Sequence, residues 1–308
     1  MKIAFLFSGQ GSQYPGMLKE LYENEEPARE LFECVDKVLE RHISQICFSG
    51  SQEELNITHN TQPCVLACDL AVALTLKAHG IEPDAVAGFS LGEYAALVYA
   101  EAMNKEDAFR IIQIRADSMQ EAVPIGVGSM AAIKSSDIEM IDSICKSAKG
   151  YVIPANLNSP IQTVISGTVE GVEDACNQLE GKGIKTIRLN VSAPFHCALM
   201  EPAAHKINQE FKNVSFHNAI IPVYMNVDAQ PHQRNTDYSD LLVRQAMSPV
   251  YWRETIENMH KDGVNVFIEC GPGKTLSGFV KRTLKDVSVF HVEDLITLDT
   301  VLTEMGKA

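Results

Sequence analysis

The sequence lacks the features of several protein classes. It contains no run of 18 or more apolar residues, so we expect no helix that crosses a membrane and no membrane partner. Residues 1–7 form too short an apolar run for a signal peptide and predict a first strand instead. Positive charge is scarce, since 26 lysines and arginines are outnumbered by 40 acidic residues. The net charge of −14 argues against a nucleic-acid partner, because phosphates require a basic face.

Paired cysteine motifs are also absent. The eight cysteines include no Cys-x-x-Cys and are scattered through apolar surroundings. Free thiols in a reducing compartment are typical of such a pattern, so we expect a cytoplasmic protein without disulfides and without a metal site. A chain of 308 residues, 45% of them hydrophobic, is long enough for one large domain or two modest ones.

One serine lies in a pattern that predicts a nucleophile. Residues 85–89 read as a short apolar strand and residues 91–100 as a helix, with Gly88-x-Ser90-x-Gly92 between them. This is the arrangement of a nucleophile elbow, in which flanking glycines let the strand and helix approach closely. The free N–H groups of the helix N-terminus can hold an oxyanion. We therefore expect Ser90 to attack a carbonyl carbon.

Two glycine-containing loops resemble nucleotide-binding motifs without completing them. Residues 8–13 follow the first strand, and Gly9 and Gly11 indicate either a close backbone approach or a simple turn. Tyr14 stands where a dinucleotide fingerprint needs its third glycine. The run Gly273-Lys274-Thr275 ends like a phosphate loop, but Ile268 replaces the required first glycine. The sequence therefore argues against nucleotide hydrolysis.

The order of predicted elements indicates an α/β protein with a small insert. Residues 126–193 read β-α-β-β-α-β, which is typical of a ferredoxin-like unit. Strands alternate with helices elsewhere and predict a largely parallel sheet covered on both faces. Residues 64–77 are almost wholly apolar and predict a buried helix, capped by Thr61, with Pro63 in its first turn.

An arginine on another helix suggests an anion site. Between Asn104 and Ala122, Arg115 shares a stripe with apolar residues such as Ile112 and Met119. A guanidinium is costly to bury unless it finds an anion. It could pair with a nearby carboxylate, extend to solvent, or clamp a substrate carboxylate.

A histidine at the mouth of a turn is a candidate base. His196 follows Pro194, which fixes a turn before the next helix. A lone histidine is more often a surface or core residue than a catalytic one. Nothing local excludes His205 or His217 as the base, so the residues alone leave that choice open.

Taken together, the motifs resemble the malonyl-CoA:acyl-carrier-protein transacylase family over nearly the whole chain. They are Gly9-Gln-Gly-Ser-Gln13, Thr61-Gln-Pro63, Gly88-x-Ser-Leu-Gly-Glu-Tyr94, Arg115, Ala193-Pro-Phe-His196, Asn226-Val-Asp228, Arg244-Gln245, Pro249-Val250-x-Trp252 and Gly271-Pro-Gly-Lys274. The resemblance implies an α/β-hydrolase-like large subdomain, residues 1–125 and 194–308, interrupted by a ferredoxin-like small subdomain, residues 126–193. The active site is then expected in the cleft between them.

The resemblance also implies roles for individual residues. Ser90 matches the nucleophile, His196 the base and Arg115 the group that binds the substrate carboxylate. Gln245 matches the residue beside the histidine. The remaining matches are two oxyanion-hole positions that act through backbone N–H groups, Gln10 and Leu91, a cleft-lining glutamine, Gln62, and a bulky residue that leaves little room for a 2-methyl branch, Phe195.

The implied reaction moves a malonyl group from malonyl-CoA, through a serine ester, to the phosphopantetheine thiol of an acyl carrier protein. It would serve fatty-acid or polyketide synthesis, in a monomer and without a cofactor. Alternatives are an acyl hydrolase that removes acyl groups from carrier proteins, which has less use for Arg115, and a non-catalytic carrier-binding subunit. Two residues depart from the family pattern: Phe89 replaces a histidine, and Ser8 replaces a proline.

Overall fold

The computed structural model describes residues 1–191 and 193–307, which form two β-sheets with helices packed around them. The strands are β1 (Ile3–Phe7), β2 (Ala85–Gly88), β3 (Gly128–Lys134), β4 (Val152–Ser159), β5 (Gln162–Thr168), β6 (Lys185–Arg188), β7 (Val223–Tyr224), β8 (Pro231–His232), β9 (Val266–Cys270) and β10 (Ser288–Val292).

The helices surround both sheets. They are α1 (Lys19–Asn24), α2 (Glu26–Leu39), α3 (Ile43–Ser49), α4 (Gln52–Leu55), α5 (Thr58–Ala78), α6 (Gly92–Tyr99), α7 (Lys105–Glu121), α8 (Ile138–Ser147), α9 (Val169–Gly181), α10 (Glu201–Glu210), α11 (Tyr238–Met247), α12 (Trp252–Lys261), α13 (Thr275–Thr283) and α14 (Leu295–Glu304). Short 3-10 turns at Ala198–Met200 and Phe211–Asn213 flank α10.

The large sheet has six strands in the order β10-β9-β1-β2-β7-β8. All neighbouring pairs are parallel except β7 and β8. In β1, Phe5 and Phe7 enter one apolar cluster, whereas Ala4 and Leu6 enter the cluster on the opposite face. Because both faces are covered, the strand is apolar along its whole length, and the predicted α/β class is confirmed.

Helix α5 passes through the core, but it begins earlier than the sequence pattern predicts. It starts at Thr58 with Ile57 at its N-cap, so the prediction that Thr61 caps it is wrong. Pro63 therefore lies beyond the first turn, where a proline removes a hydrogen bond to the carbonyl four residues earlier. That carbonyl, of His59, accepts instead from the side chains of Arg41 and Gln113, at 3.3 and 3.2 Å.

Helix α5 also has the length and hydropathy of a membrane span, with mean hydropathy 1.2 over an 18-residue window. Within the protein, 83% of that window is buried. The helix packs in the same apolar cluster as β1 and α6, so its composition is that of a core helix surrounded by other elements.

The small sheet is antiparallel, with its strands in the order β4-β5-β3-β6. Helices α8 and α9 cover one face, as the β-α-β-β-α-β pattern predicts. The other face presents Met130, Ala132 and Val164 toward Phe195 and Met119 of the large part. This sheet therefore forms one wall of a cleft. Of the range predicted for the small subdomain, residues 126–193, Ser192 lies outside the described residues.

Strand β7 is shorter than the apolar pattern predicts. The expected strand covers residues 221–226, yet only Val223 and Tyr224 pair with a neighbour. The chain turns immediately afterwards, since the Met225 N–H donates to the Gln230 carbonyl at 3.1 Å. This turn brings Asn226 to the end of β2 beside Ser90.

Candidate active site

The backbone at Ser90 has an uncommon conformation that the neighbouring glycines make possible. Ser90 has a φ of 55°, in the left-handed region. A Cβ on Gly88 would lie 1.9 Å from the Gly92 carbonyl carbon, and one on Gly92 would lie 2.4 Å from the Phe7 carbonyl oxygen. No side chain fits at either glycine, so β1, β2 and α6 meet closely, and Ser90 lines the cleft.

The structure brings His196, rather than His205 or His217, next to Ser90. The His196 Nε2 lies 2.7 Å from the Ser90 Oγ. Its Nδ1 lies 3.0 Å from the main-chain carbonyl oxygen of Gln245. Because a carbonyl only accepts, Nδ1 carries the proton and Nε2 is free to accept the Ser90 hydroxyl proton. His205 and His217 are exposed.

Burial keeps His196 neutral. Only 4% of the residue is exposed, and burial, reinforced by the charge of Arg115, lowers the pKa of His196 to about 4. Burial disfavours the charged form of a histidine, and a nearby cation acts in the same direction. The imidazole is therefore available as a base throughout the physiological pH range.

Gln245 meets the histidine through its backbone, whereas its side chain serves other residues. Its Nε2 donates to the Ser90 carbonyl oxygen at 2.6 Å and to the Glu93 carboxylate at 2.9 Å. Its Oε1 accepts from Arg115 Nη2 at 3.0 Å. The sequence identifies Gln245 as a neighbour of His196 but does not distinguish which of its atoms makes the contact.

The Asn226 side chain stabilises the turn that carries Ser90. Its Oδ1 accepts from the Ser90 backbone N–H at 2.8 Å, and its Nδ2 donates to the Gly88 carbonyl at 2.7 Å. These bonds occupy polar groups that the left-handed turn leaves without helix or sheet partners. Sequence reasoning assigned Asn226 no role, although the residue belongs to one of the motifs that carry the family resemblance.

Arg115 is buried in the cleft among neutral acceptors. Only 1% of the residue is exposed. Its Nη1 donates to Gln62 Oε1 at 2.7 Å, and its Nη2 lies 3.1 Å from the Ser90 Oγ. Its guanidinium carbon lies 5.7 Å from the Tyr94 ring centroid. The prediction that Arg115 lies on a buried helix stripe is confirmed, since Ile112 and Met119 are buried as well.

This guanidinium has no ion-pair partner within residues 1–191 and 193–307, and its Nε makes no hydrogen bond there. Burial lowers the pKa of Arg115, while Tyr94 and Glu93 oppose that shift. A buried charge costs several kcal/mol unless it is paired. The cleft therefore favours a ligand that carries a negative charge near Arg115.

Glu93 is a second titratable group buried beside the site, and sequence reasoning assigned it no role. It is completely buried in α6, and its carboxylate accepts from the Asn226 backbone N–H and from Gln245 Nε2. Burial raises the pKa of Glu93 to about 8, against the opposing effects of these hydrogen bonds and of Arg115. Its position in the motif Gly88-x-Ser-Leu-Gly-Glu-Tyr94 is the sequence feature that could have marked Glu93 as part of the site.

The cleft has a volume of about 480 Å³ and lies between loops and helices of the large sheet and strands of the small sheet. Ser90, His196, Arg115, Gln62 and Phe195 all line it. From the opposite side, the small sheet contributes residues of β3, β4 and β5, namely Met130, Ala132, Asn156, Asn158, Gln162 and Val164.

The two backbone donors expected to form an oxyanion hole lie at the start of α6 and in the loop after β1. Leu91 is the N-cap residue of α6, and Gln10 lines the cleft. The Gln10 side chain donates a 3.3 Å hydrogen bond from its Nε2 to the Thr58 hydroxyl. Within the described part of the chain, neither backbone N–H has a protein acceptor.

Phe89 fills an apolar corner beside the nucleophile. Its ring lies edge-on to Trp252, with centroids 5.3 Å apart, and 6.3 Å from Phe279. A Cβ on Gly9 would lie 2.7 Å from the Phe89 ring, which explains the close backbone approach predicted for this loop. Phe89 thus joins the apolar cluster under α12 and α13, where a histidine would need a polar partner.

The loop that resembles a phosphate loop is filled by the protein's own carboxylates. Glu269 accepts from the Leu276 and Ser277 backbone N–H groups at 3.0 and 2.7 Å, at the start of α13. Glu293 accepts from the Gly273 N–H at 2.7 Å. These amides are the groups that a phosphate loop offers to its ligand, so the geometry agrees with the sequence argument against nucleotide hydrolysis.

Known proteins of one family are similar to this chain in sequence. The acyl transferase domain family matches residues 4–301. The malonyl CoA-acyl carrier protein transacylase of Bacillus subtilis (strain 168) is 43% identical, with 99% of this chain and 98% of that protein covered. The transacylase of the same name from Haemophilus influenzae is 40% identical, with 97% and 98% covered.

Solved structures share the fold. The malonyl CoA-acyl carrier protein transacylase from Clostridium perfringens has a TM-score of 0.96 and 38% identity, covering 100% of this chain and 98% of that one. A malonyl-transacylase solved in complex with a type II PKS acyl-carrier protein has a TM-score of 0.95 and 39% identity, covering 99% and 100%.

Proposed function

Because this chain belongs to the acyl transferase domain family, we propose that it transfers a malonyl group from malonyl-CoA to the phosphopantetheine thiol of an acyl carrier protein. The reaction serves fatty-acid or polyketide synthesis. The observation that carries this function is a serine within hydrogen-bonding distance of both a neutral histidine and a buried, unpaired guanidinium. The first two groups supply acyl transfer, and the third selects an acyl group that carries a carboxylate.

In the first half-reaction, the Ser90 Oγ attacks the thioester carbonyl while His196 Nε2 accepts its proton. The backbone N–H groups of Gln10 and Leu91 stabilise the oxyanion of the tetrahedral intermediate. The carbon–sulfur bond then breaks, and the CoA thiolate takes the proton from His196. The product of this step is a malonyl ester on Ser90.

The second half-reaction reverses these roles. The carrier-protein thiol gives its proton to His196, its sulfur attacks the ester carbonyl, and the Ser90 oxygen leaves with that proton. Bonds and protons balance over the two steps without a redox change, so the proposed reaction requires no cofactor. The Gln245 carbonyl keeps the histidine in the required tautomer, a role for which many Ser-His enzymes use an acidic residue.

Arg115 binds the free carboxylate of the malonyl group. A guanidinium offers paired donors that match a carboxylate, and a bound anion compensates the buried charge. Phe195 lies in the cleft wall and is 8% exposed, so it limits space for a 2-methyl branch. Acyl groups without a carboxylate leave Arg115 unpaired and bind poorly.

The proposed partners are an acyl carrier protein and a coenzyme A thioester, and the proposed active form is a monomer that requires neither nucleic acid nor a membrane. Cytoplasmic location is supported by the cysteines, all eight of which are free thiols. Seven of these cysteines are buried, and only Cys34 is partly exposed. Unpaired thiols are typical of a reducing compartment.

Mass spectrometry of the carrier protein tests the function directly. Holo carrier protein is incubated with the enzyme and malonyl-, methylmalonyl- or acetyl-CoA, and its mass is followed over time. We expect malonyl loading to dominate. Loss of the acyl group from preloaded carrier protein, without transfer from CoA, would instead favour the acyl hydrolase.

The pH dependence of serine acylation should reflect the low pKa of His196. A base is active when it is neutral, so activity is retained above its pKa and is lost as pH falls through it. At pH 5, about 90% of a base with a pKa of about 4 is neutral, against about 3% of an ordinary histidine. Rapid-quench measurement of malonyl-enzyme formation should therefore show little loss between pH 7 and pH 5.

The control for this measurement is circular dichroism at each pH, which separates acid unfolding from loss of the base. A fall in rate centred near pH 6.5, with the protein still folded, would contradict the assigned environment of His196.

A basic strip on α13 is proposed to dock the acidic carrier protein. Lys274, Lys281 and Arg282 are exposed, and α13 also lines the cleft through Thr275 and Phe279. Since the protein is negatively charged overall, an acidic partner needs such a local patch. Reversing the charges with Lys281→Glu and Arg282→Glu should raise the KM for carrier protein several-fold and alter its dependence on salt.

The matched control is Lys37→Glu, an exposed charge reversal on α2, outside the cleft lining. It should leave the KM for carrier protein unchanged. If the α13 variants and the wild type have equal KM values for carrier protein at low and at high salt, this surface does not dock the carrier protein.

A further inference from the structure

Glu93 lies at the centre of the hydrogen bonds that join the catalytic groups, although it is too far inside the protein to meet the substrate. It is completely buried and is absent from the cleft lining. Its two carboxylate oxygens accept from the Asn226 backbone N–H and from the Gln245 side-chain amide. Carboxyl oxygens accept hydrogen bonds from N–H groups, so both bonds match the chemistry of Glu93.

Both partners of Glu93 hold groups that react or bind substrate. Asn226 bonds the backbone on either side of the nucleophile, at Ser90 N–H and Gly88 carbonyl. Gln245 bonds the Ser90 carbonyl through Nε2 and Arg115 through Oε1. A shift of Glu93 would therefore reach the nucleophile by two separate routes.

The orientation of the Gln245 amide depends on what lies at its two ends. Its NH₂ group faces the Glu93 carboxylate at 2.9 Å, and its oxygen faces the Arg115 guanidinium at 3.0 Å. The opposite orientation would place oxygen against the Glu93 carboxyl group and NH₂ against the guanidinium, so that each of the two groups would lose one hydrogen bond. The acceptor oxygen of Glu93 and the donor group of Arg115 thus jointly fix one amide orientation.

We propose that Glu93 is a positioning residue, which orients the Gln245 amide and thereby places Arg115 for the substrate carboxylate and Ser90 for attack. The inference rests on the proposed malonyl transfer. A different role is possible for a carboxylate near a helix N-terminus, where it stabilises the helix. The two roles differ in whether the effect of Glu93 passes through Gln245.

Glu93→Gln tests the proposal with a side chain of nearly equal size. The introduced NH₂ group faces one of the two N–H donors, so the contact to Gln245 or the contact to the Asn226 backbone is lost, and the hydrogen bonds that position Ser90 and Arg115 are weakened. We expect kcat/KM for malonyl-CoA to fall on the order of 10- to 100-fold. The loss should appear in KM for malonyl-CoA as well as in kcat, and the preference for malonyl-CoA over acetyl-CoA should fall.

Glu93→Asp retains the carboxyl group on a shorter side chain and should keep part of the rate that Glu93→Gln loses. The double variant Glu93→Gln/Gln245→Ala should lose less than the sum of the two single losses, because the part of the Glu93 effect that passes through Gln245 is already lost in Gln245→Ala. Rates are expressed per folded protein, and Glu254→Gln on α12, a half-buried glutamate away from the cleft lining, is the matched control.

Unchanged kcat/KM in folded Glu93→Gln overturns the proposal, and so does a double variant whose losses are simply additive. In another outcome, the variant has a lowered thermal midpoint while kcat, KM and acyl preference per folded protein stay at wild-type values. That result would assign Glu93 to stability alone. If the Glu93 variants behave as wild type while Ser90→Ala is inactive, the proposed transfer stands and only this inference fails.

Discussion

Replacing Ser90 with alanine should abolish malonyl transfer to the carrier protein, with a loss of about 10⁴-fold or more. Among the residues that the structure describes, Ser90 supplies the one hydroxyl that is hydrogen-bonded to His196, whose Nε2 is 2.7 Å from the Ser90 Oγ. The variant retains the left-handed turn and the Asn226 contact to the Ser90 backbone, so its fold and its binding of malonyl-CoA should persist. Transfer of radiolabelled malonyl groups measures the loss.

Intact-mass analysis of the enzyme completes this experiment. Wild-type protein mixed with malonyl-CoA should gain one malonyl group, and Ser90→Ala should gain none. The control Ser118→Ala removes another buried hydroxyl from the adjacent α7 and should leave transfer intact. If Ser90→Ala still loads the carrier protein, the serine ester has no place in the mechanism.

Replacing Arg115 with alanine should reverse the preference for a carboxylated acyl group. We expect kcat/KM for malonyl-CoA to fall by about 100-fold or more, whereas use of acetyl-CoA should improve. Removing the guanidinium removes the buried charge that only an anion compensates, so an uncharged acyl group no longer leaves it unpaired. Competition between malonyl-CoA and acetyl-CoA in one reaction gives the ratio directly.

Arg115→Ala also leaves the Gln62 and Gln245 side-chain oxygens without their donor, so its stability must be measured alongside. Arg115→Lys keeps the charge without the paired donors and should lie between wild type and alanine. Arg110→Ala, on the same helix but pairing with Asp107 at the surface, is the matched control. Equal losses for malonyl- and acetyl-CoA would show that Arg115 does not select the acyl group.

Local patterns in the sequence predict much of the fold. Helices α9 and α11 span the predicted residues, Val169–Gly181 and Tyr238–Met247, because their ends and periodicity are encoded within the segments themselves. The α5 N-terminus was misplaced because the side chains that replace the bond lost at Pro63 come from Arg41 and Gln113, far away in sequence. A local sequence pattern does not show which distant side chains supply such hydrogen bonds.

The sequence predicts which residues form the candidate site better than it predicts the contacts between them. Ser90, His196 and Arg115 follow from motif and helix stripe, yet their hydrogen bonds join segments 25 and 106 residues apart. The roles of Asn226 and Glu93 required the structure, because both act on the site through backbone groups or through another side chain. The contact between His196 and Gln245 uses the backbone carbonyl of Gln245, so the identity of its side chain does not predict it.

The carboxylates at the start of α13 have a consequence for how the protein treats phosphate. Glu269 and Glu293 act as internal counter-ions, occupying main-chain amides and the positive end of the helix dipole. Coenzyme A and the carrier protein's prosthetic group both bring phosphates, which find no vacant backbone cradle there. If the proposed surface at Lys274, Lys281 and Arg282 binds these phosphates, their recognition falls to flexible surface cations, whose attraction is long-ranged and weakened by salt. Phosphate would then speed encounter more than it fixes the bound position.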